Sequence, residues 1–183
     1  MKVLGIDSSG LVASVAVVED DILLAEYTVN YKKTHSQTLL PMLKEIGDMI
    51  NLDLNSLDAI AIAAGPGSFT GLRIGSATAK GLGLALDKPI IPVPTVDGLA
   101  YDLWGTDKIV CPIMDARRNQ VYTGIYEFCD GKLQILENQM AVSVAEIAEK
   151  LNALGREQTA CICGCSSWST VLCTGTSRKC NGT

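Results

Sequence analysis

One pattern occurs twice in this chain of 183 residues, about 108 residues apart, and it constrains the fold more than any other feature. In each copy, three runs of apolar and β-branched residues predict strands, and a run with helical spacing follows them. The predicted strands and helix are residues 2–7, 12–19, 22–30 and 36–50 in the first copy, and 109–114, 120–128, 132–138 and 144–154 in the second. Such a unit used twice predicts an α/β fold of two similar lobes.

The first strand of each predicted lobe ends in an aspartate, Asp7 or Asp115. This arrangement resembles the actin, Hsp70 and sugar-kinase architecture of ribonuclease H-like lobes, in which paired strand-end aspartates flank a nucleotide-binding cleft. That resemblance implies that the two carboxylates position a metal-bound phosphate or activate water. Capping of the turn that follows each strand is the alternative.

A glycine-rich stretch from Gly65 to Gly71 follows a predicted strand (58–64) and opens a helix that extends to about residue 86. Glycines allow tight turns, and the amides at the start of a helix suit an anion, which favours phosphate binding. A turn whose glycines permit close packing is the alternative, since the stretch is neither a Walker loop nor a dinucleotide fingerprint. The candidate nucleotide-binding residues are Asp7, Ser8, Ser9, Gly65, Gly67, Ser68, Thr70, Gly71 and Asp115.

The same stretch, read on to Gly75 as Gly-Pro-Gly-Ser-Phe-Thr-Gly-Leu-Arg-Ile-Gly, resembles the signature of the TsaB (YeaZ) family and its paralogue TsaD. Three further stretches agree with this resemblance, which covers about residues 1–155. They are Ile6-Asp7-Ser8-Ser9, His35-Ser36-Gln37-x-Leu39-Leu40-Pro41 and Met114-Asp115-Ala116-Arg117-Arg118. The resemblance implies a non-catalytic subunit that binds TsaD in the machinery making threonylcarbamoyladenosine in tRNA, with a TsaE-type ATPase joining the assembly.

His35 is the single histidine of the chain. TsaD carries a His-x-x-x-His pair on this helix, a spacing that puts two metal ligands on one helical face. Leu39 stands four residues after His35, so the sequence predicts no such metal site and makes His35 a helix-start or interface residue. No cofactor is expected beyond weak binding of ATP or ADP. The rival function is an ATPase or phosphotransferase that uses Asp7, Asp115 and the glycine-rich stretch.

The two helices of the first lobe carry more small and apolar residues than one face needs. Leu39 and Leu43 follow the core spacing of the first helix, whereas Leu40 and Met42 lie off that stripe. Small residues recur every four positions in the second helix, which permits close approach of another element. Both features fit either packing within the chain or docking on TsaD or on a second copy. The predicted interface residues are His35, Leu39, Leu40, Met42, Leu43, Gly71, Gly75, Ala79 and Gly83.

Composition excludes several classes of protein. A net charge of -5 disfavours direct binding of nucleic acid by this chain alone. No apolar run reaches the ~18 residues that span a bilayer, and the N-terminus is typical of a strand rather than of a signal peptide. These features predict a cytoplasmic protein that does not enter membranes.

The pattern changes after the second predicted helix. Residues 89–94 are predicted to be extended and 96–104 helical, capped by Thr95, which completes a first lobe over 1–105 and leaves 106–156 for the start of a second, apparently incomplete lobe. The remaining residues, 157–183, hold five of the seven cysteines. A zinc or cluster site is one interpretation of this Cys-rich tail, although its spacing differs from paired Cys-x-x-Cys ligands. A tail unrelated to the domain is the other.

Overall fold

The computed structural model describes residues 1–30, 35–155 and 159–163, with the backbone alone for His35 and 159–163. The chain divides into two compact units between Thr95 and Val96. The sequence predicts this boundary at 105, whereas the structure puts all of the short helix Thr95–Ala100 except its first residue in the second unit. We describe each unit by itself.

The first unit contains five strands and two long helices. They are β1 (Lys2–Asp7), β2 (Ala13–Glu19), β3 (Ile22–Val29), α1 (His35–Ile50), β4 (Ala59–Ala63), α2 (Phe69–Leu86) and β5 (Ile90–Val93). The strand order is β3-β2-β1-β4-β5, with β2 antiparallel to its neighbours and β4 and β5 parallel to β1. Both helices return from the end of one parallel strand to the start of the next, so α1 and α2 run in the same direction.

The core of the first unit lies between this sheet and its two helices. Alternate residues of β1 and β2 point to one face because side chains in a strand alternate between faces. Leu4 and Ile6 of β1 belong to the same buried cluster as Leu39 and Ile46 of α1, and all four are nearly inaccessible to solvent. This burial positions the end of β1 beside the start of α2.

The second unit repeats the strand order of the first. Its elements are α3 (Thr95–Ala100), β6 (Ile109–Asp115), β7 (Gln120–Cys129), β8 (Lys132–Ser143), α4 (Val144–Ala153) and β9 (Thr159–Cys163), and the strand order is β8-β7-β6-β9. Ser143 caps α4 as predicted, because its hydroxyl accepts from the Glu146 amide at 3.2 Å. This repeated order confirms the prediction of two actin-like, ribonuclease H-like lobes.

Two interpretations of the sequence are wrong in detail. Residues 159–163 were assigned to the atypical tail, yet they form β9, which pairs in parallel with β6 from Ile109↔Thr159 to Ile113↔Cys163. This strand continues the second lobe in the place that β4 occupies in the first. Thr95 does not cap a following helix with its side chain but accepts a hydrogen bond from the Gly65 amide at 3.1 Å.

The proposed metal site of the Cys-rich tail depends on cysteines that lie outside the described residues or whose side chains are not described. Among the described residues, no group of three or more His, Cys, Asp or Glu side chains could hold a metal ion. No helix in the same part of the chain is both long and apolar enough to cross a membrane.

Candidate functional site

The turn after β1 is closed by the chain itself. The Asp7 carboxylate accepts a hydrogen bond from the Ser9 amide at 2.7 Å. The Ser8 hydroxyl donates to the Gly71 carbonyl at 2.9 Å, and the Ser68 amide donates to the Ser9 carbonyl at 2.6 Å. Ser8 and Ser9 are 1% and 3% exposed. The turn and the glycine-rich stretch therefore form one hydrogen-bonded unit.

Several amides of this stretch bond to protein atoms. The Gly71 amide donates to the Ser68 hydroxyl, which caps α2, and the Leu72 amide donates to the Ser68 carbonyl at 2.8 Å. A Cβ added to Gly67 would lie 2.4 Å from the Ser9 carbonyl oxygen, so only glycine fits here. This geometry favours the packing alternative for the stretch over phosphate binding.

The corresponding turn of the second unit is open. The Asp115 carboxylate accepts from the Arg117 amide at 2.7 Å, and Arg117, Arg118 and Asn119 have left-handed φ values of 67°, 54° and 59°. All four side chains are exposed. They line a cavity of about 550 Å³ together with Ser143 at the start of α4. Of the predicted nucleotide residues, Asp115 therefore lies in a different unit from the others, and Thr70 lies on the exposed surface of α2.

The small-residue stripe of α2 packs on the chain's own sheet, which favours the alternative of packing within the chain. Gly71, Gly75, Ala79 and Gly83 are all buried. A Cβ on Gly75 would lie 2.3 Å from the Ser8 hydroxyl oxygen, and a Cβ on Gly83 would lie 3.0 Å from the side chain of Ile90. These positions have no surface left for a partner.

Helix α1 has one group of apolar residues buried in the core and another exposed to solvent. Leu39, Met42 and Leu43 are at most 7% exposed and belong to the core of the first unit, which favours packing within the chain for these three residues. Leu40 is 55% exposed and Met49 is 73% exposed. Only Leu40 of the predicted α1 residues thus remains a surface candidate, while His35 contributes its backbone to the first position of the helix.

Sequence reasoning missed the groove between the end of α1 and α2. Its volume is about 710 Å³, and Leu40, Lys44 and Gly47 line it from α1, with Leu82 from α2. It also missed Leu84 of α2, which is 87% exposed. The available signal was the spacing of nine residues between Leu84 and the buried stripe residue Gly75, which puts the two on opposite sides of the helix.

Comparison with known proteins identifies the family. The family model described as TsaD: tRNA N6-adenosine threonylcarbamoyltransferase matches residues 23–163. The chain is 36% identical over 156 residues to the tRNA threonylcarbamoyladenosine biosynthesis protein TsaB of Bacillus subtilis, covering 85% of this chain and 68% of that protein. The chain belongs to the TsaB (YeaZ) family. TsaB of Escherichia coli is 33% identical over 172 residues, covering 92% of this chain and 74% of that protein.

A solved structure agrees with this TsaB-family assignment. YeaZ from Pseudomonas aeruginosa superimposes with a TM-score of 0.68 at 31% identity, covering 77% of this chain and 66% of the other. The chain thus spans about two thirds to three quarters of the length of these TsaB and YeaZ relatives. The repeated α/β lobe is the fold of this family.

Proposed function

We propose that this TsaB-family chain is a non-catalytic accessory subunit that binds a TsaD-type catalytic subunit in tRNA threonylcarbamoyladenosine biosynthesis. The names of its relatives supply the pathway. The observation that carries the binding role is a set of large apolar side chains exposed on α1 and α2. Leu40 and Leu84 are 55% and 87% exposed, although both helices have already filled their faces toward the sheet.

Exposed apolar side chains on two neighbouring parallel helices mark a protein-binding surface. The groove between α1 and α2 provides a recess for a side chain of the partner, and the Lys44–Asp48 ion pair lies at its rim. Interfaces combine such an apolar centre with a polar rim, and burying one Leu side chain contributes about 2 kcal/mol. This surface replaces the buried stripe as the proposed TsaD-binding face.

Two observations support a role without catalysis. Leu39, at the position of the second histidine of TsaD, is 2% exposed within the core, so a ligand pair cannot form there without opening the helix packing. The glycine-rich stretch bonds its amides at Gly65, Ser68 and Gly71 to protein atoms, so these three amides do not serve a phosphate site of the rival ATPase. A TsaE-type ATPase completes the proposed assembly, which works in the cytoplasm and needs no cofactor bound by this chain.

The test is complex formation with the matching TsaD-type subunit, measured by size-exclusion chromatography with light scattering. Leu40→Glu is the probing variant, and Leu23→Glu on β3 is the matched control because Leu23 is 54% exposed against 55% for Leu40. We expect Leu40→Glu to weaken the complex at least tenfold, since it puts a charge into an apolar interface, and Leu23→Glu to leave it intact.

Equal complex formation by both variants would show that the α1–α2 surface is not the binding face. Light scattering also separates a mixed complex from a homodimer that uses the same surface. Ala79→Arg is unsuitable as a probe, because Ala79 is fully buried against the sheet and the variant would disrupt the fold.

A further inference from the structure

A second groove lies on the other side of α2, between this helix and the edge strand β5. Its volume is about 710 Å³. We propose that this groove is a docking site for an acidic, partly apolar segment of a partner protein. The proposal does not rest on TsaD binding, because a different groove carries it.

The floor of the β5 groove is apolar. Ile62 of β4, Leu72 of α2 and Ile90 and Pro92 of β5 line it. Apolar walls of this kind bind side chains by removing them from water. Pro92 lacks an amide donor and lies in the edge strand, so it interrupts the row of donors that addition of a further strand would require. The groove is therefore suited to binding through side chains.

The charge of the groove gives the sign of its partner. The charged residues that line it are Arg73 and Lys80, and no carboxylate lines it. Within the described part of the chain, neither cation forms an ion pair. This positive rim lies on a chain whose net charge is -5, so it differs from the protein surface as a whole. Charge complementarity favours a partner that carries carboxylates.

The spacing of the two cations sets the spacing of those carboxylates. Arg73 and Lys80 are seven residues apart on one helix, which corresponds to a rise of roughly 10 Å. Three residues of a polyproline II segment cover a similar distance, about 9 Å, and complete one turn, so their side chains return to the same side. The geometry fits acidic residues at positions i and i+3 of such a segment, with an apolar residue between them that enters the floor.

A protein segment fits this groove better than RNA does. The guanidinium carbon of Arg73 lies 4.5 Å from the ring centre of Phe69, so one face of this exposed ring is covered and is not free to stack on a base. The apolar floor also offers nothing to a phosphate or a sugar. Arg73 is held in place by this stacking, which reduces the entropy lost when it pairs with a carboxylate.

The test uses the full chain and a fluorescein-labelled nine-residue peptide with the repeat Glu-Leu-Ala. Nuclear magnetic resonance maps the amides that shift, and fluorescence anisotropy gives the Kd. We expect shifts in residues 69–80 and 90–93, and a Kd about tenfold weaker for the double variant Arg73→Glu/Lys80→Glu. The control Lys108→Glu/Lys132→Glu makes the same change in net charge at exposed positions of the second unit, and it should bind like the original chain.

A peptide with Lys in place of Glu and a nine-nucleotide oligouridine complete the design. Neither should bind in the groove. The proposal is overturned if the acidic peptide does not shift groove amides at millimolar concentration, if the lysine peptide binds as well, or if the oligouridine binds there more tightly. Equal weakening by both double variants would also overturn it, because that result would show a general charge effect. The milder pair Arg73→Gln/Lys80→Gln serves as a second variant if charge reversal affects folding.

Discussion

The two strand-end turns share one hydrogen bond and differ in almost everything else. In each, the aspartate accepts from the amide two residues later at 2.7 Å, Asp7 from Ser9 and Asp115 from Arg117. The first turn is buried under the glycine-rich stretch, whereas the second is exposed beside a cavity. The shared motif therefore specifies the local turn but not what covers it.

The two aspartates also lie on opposite faces of their sheets. In β1, Leu4 and Ile6 face α1, so Asp7 faces away from that helix. In β6, Ile109, Cys111 and Ile113 face α4, so Asp115 lies on the helix side, where it lines a cavity with Ser143. The two aspartates therefore occupy matching positions in the repeated sequence pattern, but their side chains lie on opposite faces of the two sheets.

The register of the two hairpins explains this reversal. Asp7 pairs with Ser14 across the first hairpin, and Asp115 pairs with Val121 across the second, which makes the second connection one residue shorter. Shifting a strand by one residue moves its side chains to the other face. The two carboxylates therefore do not occupy equivalent positions in their sheets.

Adding a methyl group to the closed first turn should produce the largest loss of stability. Gly67→Ala places a methyl group 2.4 Å from the Ser9 carbonyl oxygen. Because this oxygen belongs to the backbone, it cannot easily move away. We expect a loss of about 3 kcal/mol in the free energy of unfolding, measured by urea denaturation. Gly10→Ala is the control, because its added methyl would find no atom closer than 3.9 Å. Equal stabilities would mean that the first turn is as open as the second.

A double-mutant cycle tests the contact between α2 and the closed first turn. Gly75→Ala puts a methyl group 2.3 Å from the Ser8 hydroxyl oxygen and should cost about 2 kcal/mol. In a Ser8→Ala background that oxygen is gone, so the cost should fall by at least half, as measured by thermal denaturation. Gly81→Ala, with no atom within 4 Å, should instead stabilise by up to ~1 kcal/mol. Additive effects at Ser8 and Gly75 would contradict the closed turn.

The second unit has its own buried contact, away from its turn. The Tyr126 hydroxyl donates to the Asp97 carboxylate at 2.7 Å, and Tyr126 is fully buried. Tyr126→Phe should destabilise this unit by about 1.5 kcal/mol in urea denaturation. Tyr101→Phe, at a ring that is 52% exposed, should change stability by much less.

The same contact should make stability fall at alkaline pH. Burial, followed by the hydrogen bond to Asp97, raises the pKa of Tyr126 above its usual value. The unfolded phenol loses its proton near pH ~10 while the folded one retains it, so the contribution is complete below that pH and is lost as pH rises above it. Between pH 8 and 11, the midpoint of urea denaturation should fall less steeply for the Tyr126→Phe variant than for the original chain. An unchanged slope would show that this phenol does not control the alkaline transition.

The smallest expected difference compares the two aspartates directly. Asp7→Ala removes a partly buried acceptor and should cost about 1 kcal/mol, whereas Asp115→Ala removes an exposed one and should cost about half as much. Chemical denaturation of the two variants measures this difference. A larger loss for Asp115→Ala would reverse the assignment of closed and open turns.

Periodicity predicted most of the fold, because the strands and helices follow clear patterns of two and of 3.6 residues. The predicted strand over 2–7 and helix over 144–154 end within one residue of β1 and α4. The site was less predictable. Burial of Gly75 depends on Ser8, which is distant in sequence, and the shorter second hairpin is hidden because the repeat aligns without a gap. Strand β9 was missed because cysteines and small residues weaken its apolar pattern.

The fit of Gly75 against Ser8 also affects how this protein can change by mutation. Any side chain at Gly75 collides with a hydroxyl oxygen that itself holds the Gly71 carbonyl, so two positions must change together. A mutational scan that changes one residue at a time will therefore show that this stretch tolerates no substitution. Such a result is easily mistaken for the signature of an active site. Paired libraries over both positions would distinguish a steric constraint from a chemical requirement.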